Sequence, residues 1–192
     1  MDGARPVRLV VVIGSVREGR FGPTAANWFL GEAATRADLD LDVLDLAEVR
    51  LPDQLGTSPI PAEVAAVTPR LEAADAFVVV TPEYNHSYPA SLKTLIDWHH
   101  VEWQRKPVAF VSYGGFCGGL RAVEALRLVF AGLHATTLRD VVSFHGIPAS
   151  FGADGRPLDA EAKAGAAKTL LDELDWWARA LRDARAARPV AS

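Results

Sequence analysis

The chain has 192 residues, 49% of them hydrophobic and 23% charged, a make-up that suits one globular domain with a sheet covered on both faces. Twenty basic against 24 acidic side chains leave a net charge of −4, so no basic field argues for a nucleic-acid partner. A single cysteine, Cys117, excludes an internal disulfide, and the apolar run ending at Ile13 is too short for a signal segment or a membrane span; the cytoplasm is the expected location, with no membrane partner.

Val7 to Ile13 is a nearly unbroken run of β-branched and aliphatic residues, which predicts a strand buried on both faces. Pro23 fits the first turn of a helix running to about Arg36, where its missing N–H costs nothing. Leu39 to Leu46 alternates leucine or valine with aspartate and reads as a half-exposed edge strand. Residues 47–61 are rich in Pro, Gly, Ser and Thr and mark a long surface connection. Thr68-Pro69 reads as the N-cap and first position of a short helix ahead of a strand over 76–80. The pattern then repeats: helix 90–98, strand 107–111, helix 119–131, strand 137–144. A last helix over 159–182 places Leu170, Leu174, Trp177 and Leu181 on one face, with Trp176-Trp177 packing it and 183–192 left as a flexible tail. Alternating strands and helices with short connections imply right-handed βαβ units. The expectation is therefore an α/β, flavodoxin-like, doubly wound three-layer sandwich. Its five-stranded parallel sheet has the order 2-1-3-4-5, in one domain over 1–192 with its core in 7–182.

Ligands of such sheets sit outside the carboxyl ends of the strands, and three unusual loops fall there. The first is Gly14-Ser15-Val16-Arg17-Glu18-Gly19-Arg20. It lacks the Lys and hydroxyl of a nucleotide-hydrolysing P-loop, and Val16 occupies the second glycine's place of a dinucleotide fingerprint. A strand, a hydroxyl, two arginines and a helix start suit a terminal phosphomonoester. A tight βα turn with solvated arginines is the plainer alternative, and this loop alone leaves both open. In the second loop, Pro82 presets a turn on which Glu83, Tyr84 and Asn85 would offer backbone N–H and C=O groups to the edge of a flat heterocycle. The third, Ser112-Tyr113-Gly114-Gly115-Phe116-Cys117-Gly118-Gly119, is glycine-rich enough for the main chain to approach a ring and to adopt positive φ. All three tyrosines (Tyr84, Tyr88, Tyr113) and the cysteine lie in the last two loops.

Gly14-Ser15-x-Arg17-x-x-Arg20, Thr81-Pro82-Glu83-Tyr84-Asn85-x-Ser87-x-Pro89 and Leu92-Lys93-x-x-x-Asp97-Trp98 together resemble the NADPH-dependent FMN reductase family, which also holds related quinone, azo and chromate reductases. The resemblance covers about Val7 to Phe144. It implies noncovalent FMN, NADPH or NADH as hydride donor, a small-molecule electron acceptor such as flavin or quinone, and a homodimer or homotetramer. It further implies that Ser15, Arg17, Arg20 and the Phe21-Gly22-Pro23-Thr24 turn hold the phosphate. Pro82, Glu83, Tyr84, Asn85, Ser112, Tyr113, Gly114 and Gly115 would border the ring. Arg20 departs from the Ser of many relatives.

Flavin chemistry asks the protein for binding, orientation and electrostatics, so no acid–base residue is assigned; a backbone N–H from the 83–85 turn near flavin N5 and the charge of Arg17 suffice. Cys117 lacks the spacing of a phosphatase loop, and no Gly-x-Ser-x-Gly elbow is present. His99 and His100, adjacent on a helix, are poor metal partners and fit a helix end or subunit contact; no metal is expected. His86 fits either the substrate space or the surface. Asp97 and Trp98 read as packing or interface residues. Arg179, Arg182, Arg185 and Arg188 read as a solvated helix face. Two functions remain open: an NAD(P)H-dependent oxidoreductase, or a flavodoxin-like electron carrier or flavin-sensing module without nicotinamide turnover.

Overall fold

The computed structural model describes residues 5–56 and 58–188. Met1 to Ala4, and positions 189–192 of the expected tail, lie outside the described residues. Strands β1 (Val7–Ile13), β2 (Leu39–Asp45), β3 (Ala76–Pro82), β4 (Pro107–Tyr113) and β5 (Thr136–Phe144) form one parallel sheet in the order β2-β1-β3-β4-β5. Helices α1 (Gly22–Ala33) and α5 (Ala160–Ala187) cover one face; α2 (Ala62–Ala73), α3 (Ala90–Trp98) and α4 (Leu120–Gly132) cover the other. The expected fold and sheet order are both present.

The sheet splits the core by strand parity. Leu9, Val11, Val78 and Val80 pack with Phe29, Leu170 and Leu174 on the α1/α5 side, while Val10, Val12, Phe77 and Val79 pack with Leu71, Leu92, Leu95 and Phe130 on the other. Each such fully buried aliphatic side chain stabilises the fold by roughly 1.5–3 kcal/mol relative to exposure. β3 and β4 are buried at every position, as central strands of a covered parallel sheet must be. β2 keeps intermediate or exposed positions, as an edge strand does.

Three expectations need correction. Pro69 does not open α2 but lies inside it, eight positions after the N-cap at Pro61. Val64, Val67 and Leu71 recur at helical spacing and are buried against the sheet, and that burial outweighs the hydrogen bond the proline removes. Thr68 serves as a linker instead of a cap: its Oγ1 donates to the Val64 carbonyl and meets His99 Nε2 at 3.1 Å. The arginines of α5 are not a solvated face. Arg182 and Arg185 reach the 3%-exposed carboxylate of Asp75, which also accepts from Arg5 and from the Arg8 amide, and these contacts accompany helix through Ala187, beyond the expected end at 182. Trp176 is 62% exposed and stacks edge-on against the half-buried Trp177, so only the second tryptophan packs the helix.

Candidate active site

β1, β3, β4 and β5 all end on one rim, and the loops leaving them enclose a cavity of about 370 Å³. Its lining includes Arg17, Glu18, Gly19, Arg20 and Phe21 from the first loop, Pro82, Glu83 and Tyr84 from the second, and Tyr113, Gly114 and Gly115 from the third. Nine of the fifteen expected residues are thus gathered around one space. Ser15, Gly22, Pro23, Thr24, Asn85 and Ser112 do not line it.

The first loop owes its shape to Arg20. Its guanidinium grips the Asp45 carboxylate with both terminal nitrogens, at 2.5 and 2.6 Å, and also donates to the Ser15 carbonyl at 2.7 Å. The hydrogen bond to Asp45 holds the Arg20 pKa above its ordinary value. Both terminal nitrogens are therefore committed to the protein, and Arg20 braces the loop. Arg17 is exposed and forms no ion pair among the described residues. Close packing adds to the bracing: a Cβ on Gly14 would stand 2.5 Å from the Leu92 side chain, so only glycine lets β1 hand over to its loop beside α3.

The start of α1 is open to an anion. Phe21 stands at the N-cap with no side-chain cap, and Pro23 lacks an N–H, so the first-turn amides have no protein acceptor from a cap. Ser15 is fully buried and its Oγ lies 2.7 Å from the Tyr84 hydroxyl. Tyr113, 3% exposed, has its hydroxyl buried without a hydrogen-bond partner, 3.0 Å from where a Cβ on Gly22 would stand. Burial pushes the Tyr113 pKa well up, so its hydroxyl remains a neutral donor. Thr24 faces a separate groove with Asn27, Trp28 and Arg156.

The second loop closes on itself. The Tyr84 and Ser87 amides and carbonyls exchange hydrogen bonds at 2.8 and 3.0 Å around Asn85 (φ 50°) and His86 (φ 68°), the left-handed pair of a type I′ turn. The Glu83 amide is spent on the Tyr113 carbonyl at 3.2 Å. Of the three amides expected to face a ring, those of Glu83 and Tyr84 are therefore consumed, and the Asn85 N–H is left. Arg121 donates to Glu83 at 3.0 Å and approaches the exposed His86 at 3.3 Å.

In the third loop positive φ falls on Gly118 (57°) and Gly119 (86°), not on Gly114 or Gly115. Ser112 does not border the cavity because it is pinned inward: its hydroxyl and that of Ser143 both donate to the Gly118 carbonyl, at 2.8 and 2.9 Å. A Cβ on Gly114 would meet the Gly119 nitrogen at 3.1 Å, whereas one on Gly115 would meet nothing within 4 Å. Gly115 is thus the glycine with space beside it.

Sequence reasoning missed Asp45, Ile147 and Pro148. Asp45 ends β2, and the apolar/Asp alternation of that strand carried the signal. Ile147 and Pro148 line the cavity from the loop after β5, where Gly146-Ile147-Pro148 had the same strand-exit character as the other three. His99 caps the end of α3, fully buried with Nδ1 2.9 Å from the Leu95 carbonyl, and Trp98 donates to the Pro52 carbonyl, so both are packing residues.

A parallel sheet in this order, with an open helix start and a flat rim over the same strand ends, defines a flavodoxin-like protein. Within that class the chain belongs to the NADPH-dependent FMN reductase family, whose model matches residues 7–149. Membership makes it an NAD(P)H-dependent oxidoreductase of the FMN-using kind. It is 38% identical over 121 residues to an NAD(P)H-dependent FMN reductase of Schizosaccharomyces pombe, an alignment spanning 58% of this chain and 60% of that protein. It is 33% identical over 156 residues to the NAD(P)H-dependent FMN reductase of Saccharomyces cerevisiae, covering 70% of this chain and 79% of the relative. In three dimensions it superposes on the flavoenzyme NAD(P)H:(acceptor) oxidoreductase of Paracoccus denitrificans with a TM-score of 0.69 at 22% identity, over 90% of this chain and 98% of the other.

Proposed function

We propose that this protein binds FMN in the cavity over β1, β3 and β4 and uses it to pass electrons from NADPH or NADH to a small acceptor such as free flavin or quinone. The observation that carries the reading is the cavity's two unlike ends. One offers an open helix start, the unpaired Arg17 and the orphaned Tyr113 hydroxyl. The other offers the turn that leaves the Asn85 amide unspent and the uncrowded side of Gly115. A phosphomonoester fits the first and a flat heterocycle the second. Bound FMN supplies hydride acceptance and onward electron transfer.

The chain's own residues bind and orient. Arg17 and the first amides of α1 hold the dianion, Arg20 and Asp45 keep their loop rigid, and the Asn85 N–H addresses the ring edge near N5. The Gly114–Gly115 backbone flanks the ring and leaves one side open to a nicotinamide or an acceptor. We place the protein in the cytoplasm as a homodimer or homotetramer; among the described residues no helix is long and apolar enough to cross a membrane.

Equilibrium dialysis against FMN tests the reading. One FMN retained per chain, with a visible spectrum shifted from free flavin, is the expected result. No retention would end it.

A further inference from the structure

Resting on the FMN reading, we propose that the Tyr84 hydroxyl is the group that recognises the flavin's phosphate, with Ser15 as the residue that positions it. This reverses the roles the motif suggests, in which Ser15 touches the phosphate and Tyr84 the ring.

Three observations carry the reversal. Ser15 is fully buried and does not line the cavity, whereas Tyr84 is half-buried and does. Their oxygens lie 2.7 Å apart, and the Ser15 side chain makes no other hydrogen bond. Each hydroxyl carries one proton. If Tyr84 donated to Ser15, the buried serine proton would be left without an acceptor. If Ser15 donates to Tyr84, the buried group is satisfied and the phenolic O–H is free to point into the cavity. Burial therefore selects the second arrangement. Finally, Tyr113 leaves a second, buried and unpartnered phenol beside Gly22, the first residue of α1. An anion at this helix start would give that donor a partner, and the Tyr84 O–H would add to the same cradle.

Tyr84 also belongs to the turn that addresses the ring. A phosphate gripped by its side chain would therefore hold the turn in place, and a flavin without a phosphate would lack that contact.

The test compares FMN with riboflavin, by fluorescence quenching, on wild type, Tyr84→Phe, Ser15→Ala and the double variant. Tyr84→Phe removes one oxygen and leaves the ring. It is expected to weaken FMN by more than about tenfold, the scale of a hydrogen bond to a charged group, and to leave riboflavin unchanged. Ser15→Ala is expected to cost less alone and nothing further in the Tyr84→Phe background. Equal weakening of both ligands by Tyr84→Phe, or an undiminished Ser15→Ala effect in the double variant, would overturn the proposal while leaving the FMN reading intact. Wild-type protein that binds neither ligand would overturn both.

Discussion

Two arginines six atoms of loop apart in the motif have opposite fates. Arg20 is neutralised by Asp45, and Arg17 stands free at the cavity edge. The charge that meets the phosphate is accordingly Arg17's. Arg17→Ala should weaken FMN by roughly 1.5–3 kcal/mol, the range for a hydrogen bond to a charged group, as read by equilibrium dialysis; unchanged retention would refute its role. The adjacent glycines divide in the same way. Gly115 has space beside it, so Gly115→Val should empty the cavity of flavin and leave the melting temperature near wild type. Gly114 has the Gly119 nitrogen at 3.1 Å, so Gly114→Val should lower the melting temperature as well. Thermal melts with flavin content measured on the same samples separate the two. The sequence showed that glycine was needed here but could not show which glycine faced the ligand, because that depends on how the loop folds back on Ser112 and Ser143.

At the scale of elements, the strands were legible because burial on both faces writes a continuous apolar run, as in Val7–Ile13 and Ala76–Val80. The start of α2 was not, because Thr68-Pro69 is a strong local signal and the weaker Val64/Val67/Leu71 spacing wins only once the sheet is there to bury it. The far end of α2 carries a testable consequence. Lys106 is buried and donates to the Leu71 and Glu72 carbonyls that end the helix, at 2.7 and 2.8 Å. Burial lowers its pKa from 10.5 to about 8. Between these values the unfolded chain holds a proton that the folded one has released. Stability should therefore rise with pH across that window, by about 3 kcal/mol in all, and be lost as pH falls toward 8. Above pH 10 Tyr113 opposes this, since burial raises its pKa and the folded state keeps the proton. Urea melts at pH 8 and 9.5 should show the rise in wild type and its loss in Lys106→Met; equal slopes would contradict it.

The whole molecule keeps stability and function at opposite ends of the sheet. At the amino-terminal end, Asp75 gathers Arg5, Arg182, Arg185 and the Arg8 amide, tying the first strand to the last helix. The cavity lies at the other end of β3, about 20 Å away for a seven-residue strand. Asp75→Ala leaves buried positive charge unpaired and should cost roughly 3–5 kcal/mol in a urea melt. FMN affinity of the folded fraction should not change; a parallel loss would mean that the two ends are coupled. The helix arginines spaced three apart looked solvated because the sequence gives no hint that the one buried carboxylate waits beneath them.

The account as a whole rests on electrons moving from a nicotinamide into a flavin held over β1, β3 and β4. Mixing the FMN-loaded protein with NADPH, and separately with NADH, under anaerobic stopped flow tests this most directly. The flavin absorbance near its visible maximum should bleach with at least one donor and return when quinone or oxygen is admitted. A flavin that stays fully oxidised with both donors would contradict the account.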